Sequence, residues 1–348
     1  MINQLNNGFT LFLSLLVEAI PFLLLGVFFS SVLLFFVDEG KLVAKMPKNP
    51  LLGAVVGSMI GFLFPVCECG NVPVARRLLM QGVPTPVAIG FLLAAPTINP
   101  IVIWSTWTAF RDQPEIVVLR VVFSLIIATT VGFIFSFQTD LIPFLQPAIA
   151  RYLKFNPPAK QDHKRRGKTS TTRNPHTGNA STLLQSGNYF LGTGGIQRIE
   201  TVTDNTTNSK KPFKEKLQSL LDNIIQELRE LGAVMVIGSA IAATIQILAP
   251  RELILGLGAG PISSIVAMLI LAAVVSICST VDSFFALSFA SSFTSGSLLA
   301  FLIFGPMIDI KGVGLMLSIF KPKALIYLFI LAAQLAFILT LILNLHFF

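Results

Sequence analysis

Charged residues are scarce in this sequence. Only 12% of the 348 residues are Asp, Glu, Lys or Arg, about half the share of a typical soluble domain. In contrast, 53% are hydrophobic and the mean hydropathy is +0.77. Several apolar runs reach the ~20 residues that cross a hydrocarbon core of ~30 Å. The composition therefore excludes an ordinary soluble domain and predicts an all-α polytopic membrane protein.

Residue types that carry common chemistries are also few. The three cysteines, Cys67, Cys69 and Cys278, lie in apolar segments, which excludes a secreted disulfide framework. None of the three histidines falls inside a predicted span. No Gly-rich loop ends in Lys-Ser or Lys-Thr, so ATP hydrolysis is not expected and no cofactor is predicted. The first seven residues contain no Lys or Arg, and we expect a retained first span rather than a cleaved signal.

The charge that is present is concentrated in one central stretch. Residues 139–216 contain 13 Lys and Arg against five Asp and Glu, whereas the remainder has 12 of each sign. The stretch is rich in Asn, Thr, Ser and Gly, so we predict a largely disordered linker over residues 139–212. The positive-inside rule makes this linker cytoplasmic and places the protein in the cell membrane. A solvated loop explains the charge more simply than nucleic-acid binding, and no nucleic-acid partner is expected.

The linker separates a first membrane repeat (1–138) from a second (213–348). Three landmarks recur between them. Glu18 and Gly26 correspond to Glu230 and Gly238 at an offset of 212, Cys67 corresponds to Cys278 at 211, and the segment from Phe91 to Asn99 corresponds to Phe301 to Asp309 at 210. A nearly constant offset indicates two internally repeated halves, and transporters of that kind hold their substrate near the bilayer midplane between the repeats.

The sequence is compatible with two relative orientations of the halves. Four crossings in each half would make the repeats parallel. A re-entrant hairpin from Leu51 to Gln81, turning at Cys-Glu-Cys-Gly, would leave an odd number of crossings and make the repeats inverted. The sequence leaves both open.

A polar stretch closes the second apolar run. Pro65-Val66-Cys67-Glu68-Cys69-Gly70-Asn71-Val72-Pro73 follows apolar residues that begin near Leu51. Backbone interrupted by Pro and Gly at membrane depth occurs where it is buried in protein or lines a cavity. Ionisable groups at that depth mark functional sites. We therefore interpret this stretch as one wall of a substrate site in a transporter.

Further prolines and glycines mark the expected interruptions of the helices. The structural breaks are predicted at Pro65, Gly70, Pro73, Pro96, Pro100, Gly305 and Pro306. Freed carbonyls and polar side chains at such breaks form ion and substrate sites. Asn99 and Asp309 occupy equivalent breaks and are candidates for that role, and capping of the broken helix is the alternative role for both.

These motifs resemble those of a known family, the ArsP-type predicted permeases. The resemblance is carried by Cys67-Glu68-Cys69-Gly70-Asn71-Val72-Pro73 with Arg76, by Gly82-Val83-Pro84, by the segment from Phe91 to Pro100 and, in the second half, by Cys278, Asp282 and Gly305-Pro306. It covers nearly the whole chain outside the linker. It implies about eight transmembrane helices, a hydrophilic central cytoplasmic loop and a permease role, and some members export trivalent organoarsenicals.

Candidate site residues are the polar groups at membrane depth. The predicted substrate-binding set is Cys67, Glu68, Cys69, Asn71, Asn99, Cys278, Asp282 and Asp309. Soft thiolates select soft ions such as Cu(I) and, by the same softness, suit trivalent arsenic, although a cysteine can also be a small buried apolar residue. Glu18, Glu68 and Asp309 are the candidates for cation or proton coupling, and Glu68 could instead pair with Arg76 or Arg77. No catalytic residue and no definite metal site is assigned.

The sequence thus predicts a membrane permease and not an enzyme. The hypothesis is a secondary transporter working as an efflux system for a small solute, with a trivalent organoarsenical or a soft metal ion as the candidate. The expected partners are the lipid bilayer and the solute; a homo-oligomer and partner proteins stay open. Two other classes are weighed: a membrane enzyme with the Cys/Glu cluster as nucleophile and base, which lacks a histidine at depth, and a scaffold that recruits a partner through the basic linker.

Overall fold

The computed structural model describes residues 2–36, 46–47, 49–64, 67–137, 145–146, 189–192, 195–198, 213–248, 260–290 and 292–346. The chain divides into two compact units, Met1–Ala159 with Leu217–Phe348, and Lys160–Lys216. The second unit contains an antiparallel pair of strands, β1 (Tyr189–Gly192) and β2 (Gly195–Arg198), within the segment predicted to be disordered. The first unit is helical and contains both predicted repeats, which confirms an all-α polytopic membrane protein.

The first half contains six helices. They are α1 (Ile2–Phe36), α2 (Pro50–Leu63), α3 (Glu68–Met80), α4 (Thr85–Ile98), α5 (Pro100–Ala109) and α6 (Pro114–Ser136). Helices α4 and α5 form one interrupted apolar segment that is long enough to cross a membrane, as are α1 and α6. Helix α2 has 14 residues and spans about 21 Å, so it is too short to cross a ~30 Å core.

The second half repeats this order. Its helices are α7 (Phe213–Leu248), α8 (Pro261–Val275), α9 (Asp282–Leu287), α10 (Ser295–Met307), α11 (Ile310–Met316) and α12 (Pro322–His346). Again three segments are long enough to cross, namely those over α7, α10–α11 and α12, and α8 is short. The segments α4–α5 and α10–α11 are mostly buried inside the protein, whereas α1, α7 and α12 expose most of their apolar surface, as lipid contact requires.

Small residues bring α2 and α4 into direct backbone contact. A Cβ atom at Gly57 would lie 2.1 Å from the Val87 carbonyl oxygen, and one at Gly61 would lie 2.8 Å from the amide nitrogen of Ala95. Glycines spaced four residues apart allow such close helix packing in membranes, where apolar side chains provide little net driving force. Because later residues of α2 contact later residues of α4, these two helices run parallel.

Helix α3 runs in the opposite direction. A tight turn after Met80, with Gly82 at a φ of 80°, reverses the chain into α4, because glycine adopts positive φ without steric cost. Since α2 is parallel to α4 and α3 is antiparallel to it, α2 and α3 form a helical hairpin. Helix α2 ends at Leu63 and α3 begins at Glu68, so Glu68, Cys69 and Gly70 already belong to the first turn of α3. Most of the predicted Cys-Glu-Cys-Gly turn is therefore helical.

The tip of this hairpin lies beside the middle of α1. A Cβ atom at Gly26 would lie 2.2 Å from the Gly70 carbonyl oxygen, so α1 and α3 also touch backbone to backbone. Farther along, the Gln81 amide donates to the Leu33 carbonyl at 3.2 Å. About two turns before these contacts, α1 presents Glu18, close to the midpoint of its 35 residues. The hairpin tip is therefore placed near the centre of the membrane rather than at its edge.

Helices α1 and α7 occupy equivalent positions in the two halves and run antiparallel. A Cβ atom at Gly8 would lie 2.5 Å from Ile247, whereas Ser30 donates to Glu227 at 3.0 Å. Later residues of α1 therefore contact earlier residues of α7. Together with three full-length segments per half, this direction makes the repeats inverted and decides between the two solutions that the sequence left open.

The helix breaks lie at polar residues rather than at the prolines. Helices α3, α4 and α10 continue through Pro73, Pro96 and Pro306, and Gly70 and Gly305 also lie inside helices. The backbone instead becomes extended at Asn99 and Asp309, each three residues after a proline, and Pro100 begins α5. Proline in a membrane helix is tolerated where a neighbour satisfies the freed carbonyl. Pro65 lies outside the described residues.

Candidate functional site

A narrow cavity lies between the two halves. It has no room for a water molecule and is lined by Glu18, Ala19, Phe22, Cys67, Glu68, Cys69, Cys278 and Lys311. Three of these residues come from α1, three from the tip of the α2–α3 hairpin, and two from the second half. The site therefore exists only where the repeats meet, near the midpoint of α1.

The beginning of α3 determines how the hairpin tip presents its polar atoms. Cys67 is the N-cap residue, and its carbonyl accepts hydrogen bonds from the Gly70 and Asn71 amides, both at 3.1 Å. This first turn gathers the two thiols and the carboxylate of Glu68, whose ligand atoms lie within 4.8 Å of one another. All three side chains are buried, so this group could hold a soft ion or a thiophilic molecule away from water.

The second half reproduces the same local geometry around Cys278. The Cys278 carbonyl accepts from the Val281 and Asp282 amides at 2.9 and 3.0 Å, at the offset of 211 that relates the halves. Cys67 and Cys278 line the same cavity, where their thiols are close enough to interact. Three thiols from two repeats thus converge on one cavity, although Cys278 was predicted as a site residue only from the sequence repeat.

Lys311 completes the cavity and was not predicted. It is the second residue of α11, which packs against α3, and it is 1% exposed. Its ammonium interacts electrostatically with the carboxylates of Asp309, Glu68 and Glu18. A lysine two residues after Asp309 in an otherwise apolar run was a sequence signal that could have identified it, since a buried cation at membrane depth is costly unless it has a function.

Asn99 and Asp309 cap the helices that follow the two breaks. The Asn99 Oδ1 accepts from the Val102 amide at 2.9 Å, and the Asp309 Oδ1 accepts from the Gly312 amide at 2.6 Å. Neither side chain is among those that line the cavity. The second oxygen of Asp309 is buried without a hydrogen-bond partner, so Asp309 retains one acceptor beyond its capping bond.

Asn71 satisfies a carbonyl that a proline leaves without a donor. In α4 the Leu92 carbonyl would accept from the backbone nitrogen of residue 96, but Pro96 has no N–H. The Asn71 amide donates to the Leu92 carbonyl instead, at 2.6 Å, and is buried. This bond allows α4 to continue through its proline and fixes α3 against α4. A substrate role for Asn71 therefore stays a prediction, beside a structural role that its geometry supplies.

Asp282 lies in a different buried network. The Arg120 guanidinium on α6 contacts both Asp282 oxygens, at 2.7 and 3.3 Å, and also donates to Thr106 and Ser283 at 2.7 and 2.9 Å. Arg120 is 1% exposed. This two-bond ion pair joins the two halves. Arg120 was not predicted as a functional residue, although an arginine within an apolar span is itself a signal.

The arginines after the hairpin tip have other contacts. Arg76 forms an ion pair with Glu230 of α7 at 3.2 Å, in a partly exposed position. The cation that interacts with Glu68 in the structure is Lys311, from the other half. The pairing of Glu68 with Arg76 or Arg77 that the sequence allowed is therefore replaced by a charge interaction between the repeats.

The fold and the site define a multi-pass membrane permease: inverted helical repeats, interrupted central helices and a polar cavity between them at membrane depth. The chain belongs to the ArsP_1 family, whose model carries the description "Predicted permease" and matches residues 4–345. This match confirms the resemblance noted in the sequence. It also supports the predicted class of protein, a membrane permease.

Two curated relatives agree with this assignment. The chain is 36% identical over 320 residues to "UPF0718 protein YcgR" of Bacillus subtilis, which covers 92% of this chain and 90% of the relative. It is 30% identical over 313 residues to "Putative two-component membrane permease complex subunit" of Streptococcus mutans, covering 90% and 87%. No solved structure matches the chain.

Proposed function

We propose that the chain is a secondary permease that exports a small thiophilic solute through the cavity between its halves. The observation that carries the proposal is the convergence of Cys67, Cys69 and Cys278 on one buried cavity. Thiols from both repeats can bind a soft centre while the helices around them move. A trivalent organoarsenical and a soft metal ion are the two solutes with suitable chemistry.

The inverted arrangement supplies the transport cycle. In repeats related by an axis in the membrane plane, exchange of the two conformations opens the central site to one side and then the other. Cys67 from the first repeat and Cys278 from the second are both buried in the described state. Movement of these two thiols away from each other is the expected first step of opening. Glu68, Asp309 and Glu18 are the proposed groups for coupling to a proton or cation.

Transport of phenylarsine oxide tests this proposal. Cells that lack their own arsenical exporters should contain less arsenic when they express the protein, whereas an importer would raise the content. Replacing Cys67 and Cys69 with serine should abolish the difference, because a serine hydroxyl forms no stable bond with a soft centre. Purified protein in liposomes should show the same loss of flux.

Suitable controls are available in the chain. Ser288→Ala changes an exposed hydroxyl in the second half, away from the cavity, and should leave transport unchanged. A graded loss for the single changes at Cys67, Cys69 and Cys278 would show how many thiols participate. Full transport by the Cys67→Ser, Cys69→Ser protein would remove the thiols from the mechanism, and absence of flux in the unchanged protein would reject this solute class.

A further inference from the structure

Lys311 is placed where an ion would be expected. Among the described residues it is the one cationic side chain that lines the cavity. Its ammonium faces Glu18 from α1, Glu68 from α3 and Asp309 from the break before α11. These three carboxylates come from three separate elements, so the positive charge holds together parts of both repeats.

The ammonium does not form a close ion pair in the described part of the chain. No carboxylate oxygen lies within 4.0 Å of it there, whereas the guanidinium of Arg120 contacts Asp282 at 2.7 Å. Lys311 is thus attracted electrostatically by several carboxylates at longer distance. Its ammonium is not fixed to one of them.

Unused oxygen acceptors surround the same place. One oxygen of Glu68 and one of Asp309 are buried without a hydrogen-bond partner. The Cys69 carbonyl lacks its helical donor as well, because Pro73 stands four residues later and has no N–H. Carboxylates and carbonyls released at helix interruptions are the ligands with which inverted-repeat transporters hold Na⁺. Glu68 in the cavity and Asp309 beside it thus offer oxygen ligands for a metal cation, and the ammonium of Lys311 lies among them.

The arrangement is not a remnant of the repeat. At the offsets of 210 and 211, Lys311 corresponds to Ile101 and Glu68 to Ser279. The symmetry-related place in the other pair of elements therefore has a serine where Glu68 stands and an isoleucine where Lys311 stands. An inherited packing position would be expected in both halves, so the pairing of Lys311 with Glu68 belongs to this one cavity.

We propose that Lys311 is a tethered cation that fills a monovalent-metal site formed by Glu68 and Asp309. The unchanged protein consequently needs no Na⁺ or K⁺ at this site, and its cavity stays electrically compensated when no solute is bound. This inference deepens the proposed function, since it concerns the same cavity, but it makes a claim about ion binding that does not depend on the identity of the solute.

Removing the charge should expose the metal site. Lys311→Met keeps a long side chain without the ammonium. In purified full-length protein, Na⁺ or K⁺ should raise the unfolding midpoint of Lys311→Met by at least about 2 °C relative to choline at the same concentration. The unchanged protein should show no difference between these salts. Lys323→Met, an exposed change in the first turn of α12, is the matched control and should behave like the unchanged protein.

A second variant identifies the ligands. Adding Glu68→Gln to Lys311→Met removes one carboxylate of the site, so the stabilisation by Na⁺ should fall at least several-fold. The double variant also answers the case in which Lys311→Met does not fold. Glu68→Gln then relieves the uncompensated carboxylate, and the yield of folded, monodisperse protein should recover, because a buried charge without a partner is the cause of the loss.

Three outcomes would overturn the proposal. They are a cation-specific rise of equal size in the unchanged protein, the absence of any such rise in a folded Lys311→Met protein, and no recovery by Glu68→Gln where Lys311→Met fails to fold. None of these measurements uses a thiophilic solute. Failure of arsenical transport and failure of cation binding are therefore separate results.

Discussion

The contact between α1 and α3 gives the sharpest test of the fold. Gly26→Ala introduces a Cβ atom 2.2 Å from the Gly70 carbonyl oxygen, 2.5 Å from its Cα and 2.7 Å from its carbonyl carbon. All three are backbone atoms, which cannot rotate away as a side chain can. Since non-bonded heavy atoms prefer separations of about 3.5 Å, α1 and α3 must part by about 1 Å.

The repeat supplies a matched control on the equivalent helix. Gly238 corresponds to Gly26 at an offset of 212, and a Cβ atom there would lie 3.6 Å from the Lys311 Cα, which is ordinary contact. Both substitutions gain about 1 kcal/mol of helix propensity, so this gain cancels when the two variants are compared. Overpacking at Gly26 should then make it less stable than Gly238→Ala by about 1–3 kcal/mol.

The comparison can be measured by denaturant or thermal unfolding of both purified proteins in the same detergent. Gly26→Ala should unfold first and should also transport less, because a displaced α1 moves Glu18 away from the hairpin tip. Equal stability of the two variants, or a more stable Gly26→Ala protein, would refute the backbone contact and with it the position of the tip beside the middle of α1.

Three further predictions concern contacts between and within the halves. Arg120→Met should lower the free energy of unfolding by about 3–5 kcal/mol, because it leaves Asp282 buried without its partner. Adding Asp282→Asn should recover much of this loss. If the two single losses simply add in the double variant, the pairing is contradicted. Asn71→Leu should lower stability by about 1–3 kcal/mol, since a buried carbonyl loses its donor, and an unchanged unfolding midpoint would exclude that bond. In Cys69→Ser protein, mild oxidation should join Cys67 to Cys278 by a disulfide. After the chain is cut in the linker, the two halves should then still migrate together at 37.7 kDa without reductant. Migration as separate halves would argue against the proximity of these two thiols.

Much of the architecture was predictable because the membrane constrains it strongly. Apolar run length indicated the crossing segments, and the recurrence of Cys67 at Cys278 indicated the repeat. Orientation was not predictable, because the length of α2 does not say whether α3 continues across the bilayer or returns. The decisive contacts, such as Gly57 against Val87, join residues about 30 positions apart, and hydropathy carries no information about them.

The breaks show a more specific limit. Proline indicated the correct regions, but α4 passes through Pro96 because Asn71 donates to the carbonyl that the proline frees. The interruption then falls at Asn99, where a side-chain oxygen can cap the next helix. Local sequence rules identify the residue that weakens a helix. They do not identify the distant side chain that satisfies the freed carbonyl. The break therefore lies at Asn99, three residues after the proline that predicted it.

The charged residues that sequence reasoning missed distinguish equivalent positions of the two halves. In the second half, the position equivalent to Asn71 is Asp282, and Arg120 closes it with two hydrogen bonds and fills the space between the repeats. At the tip of the first-half hairpin, Lys311 from the second half lies among carboxylates without a close ion pair to any of them within the described residues, and the three thiols line the same narrow cavity. The two repeats therefore use equivalent positions differently: one is closed by a two-bond ion pair, and the other brings thiols, carboxylates and a lysine together.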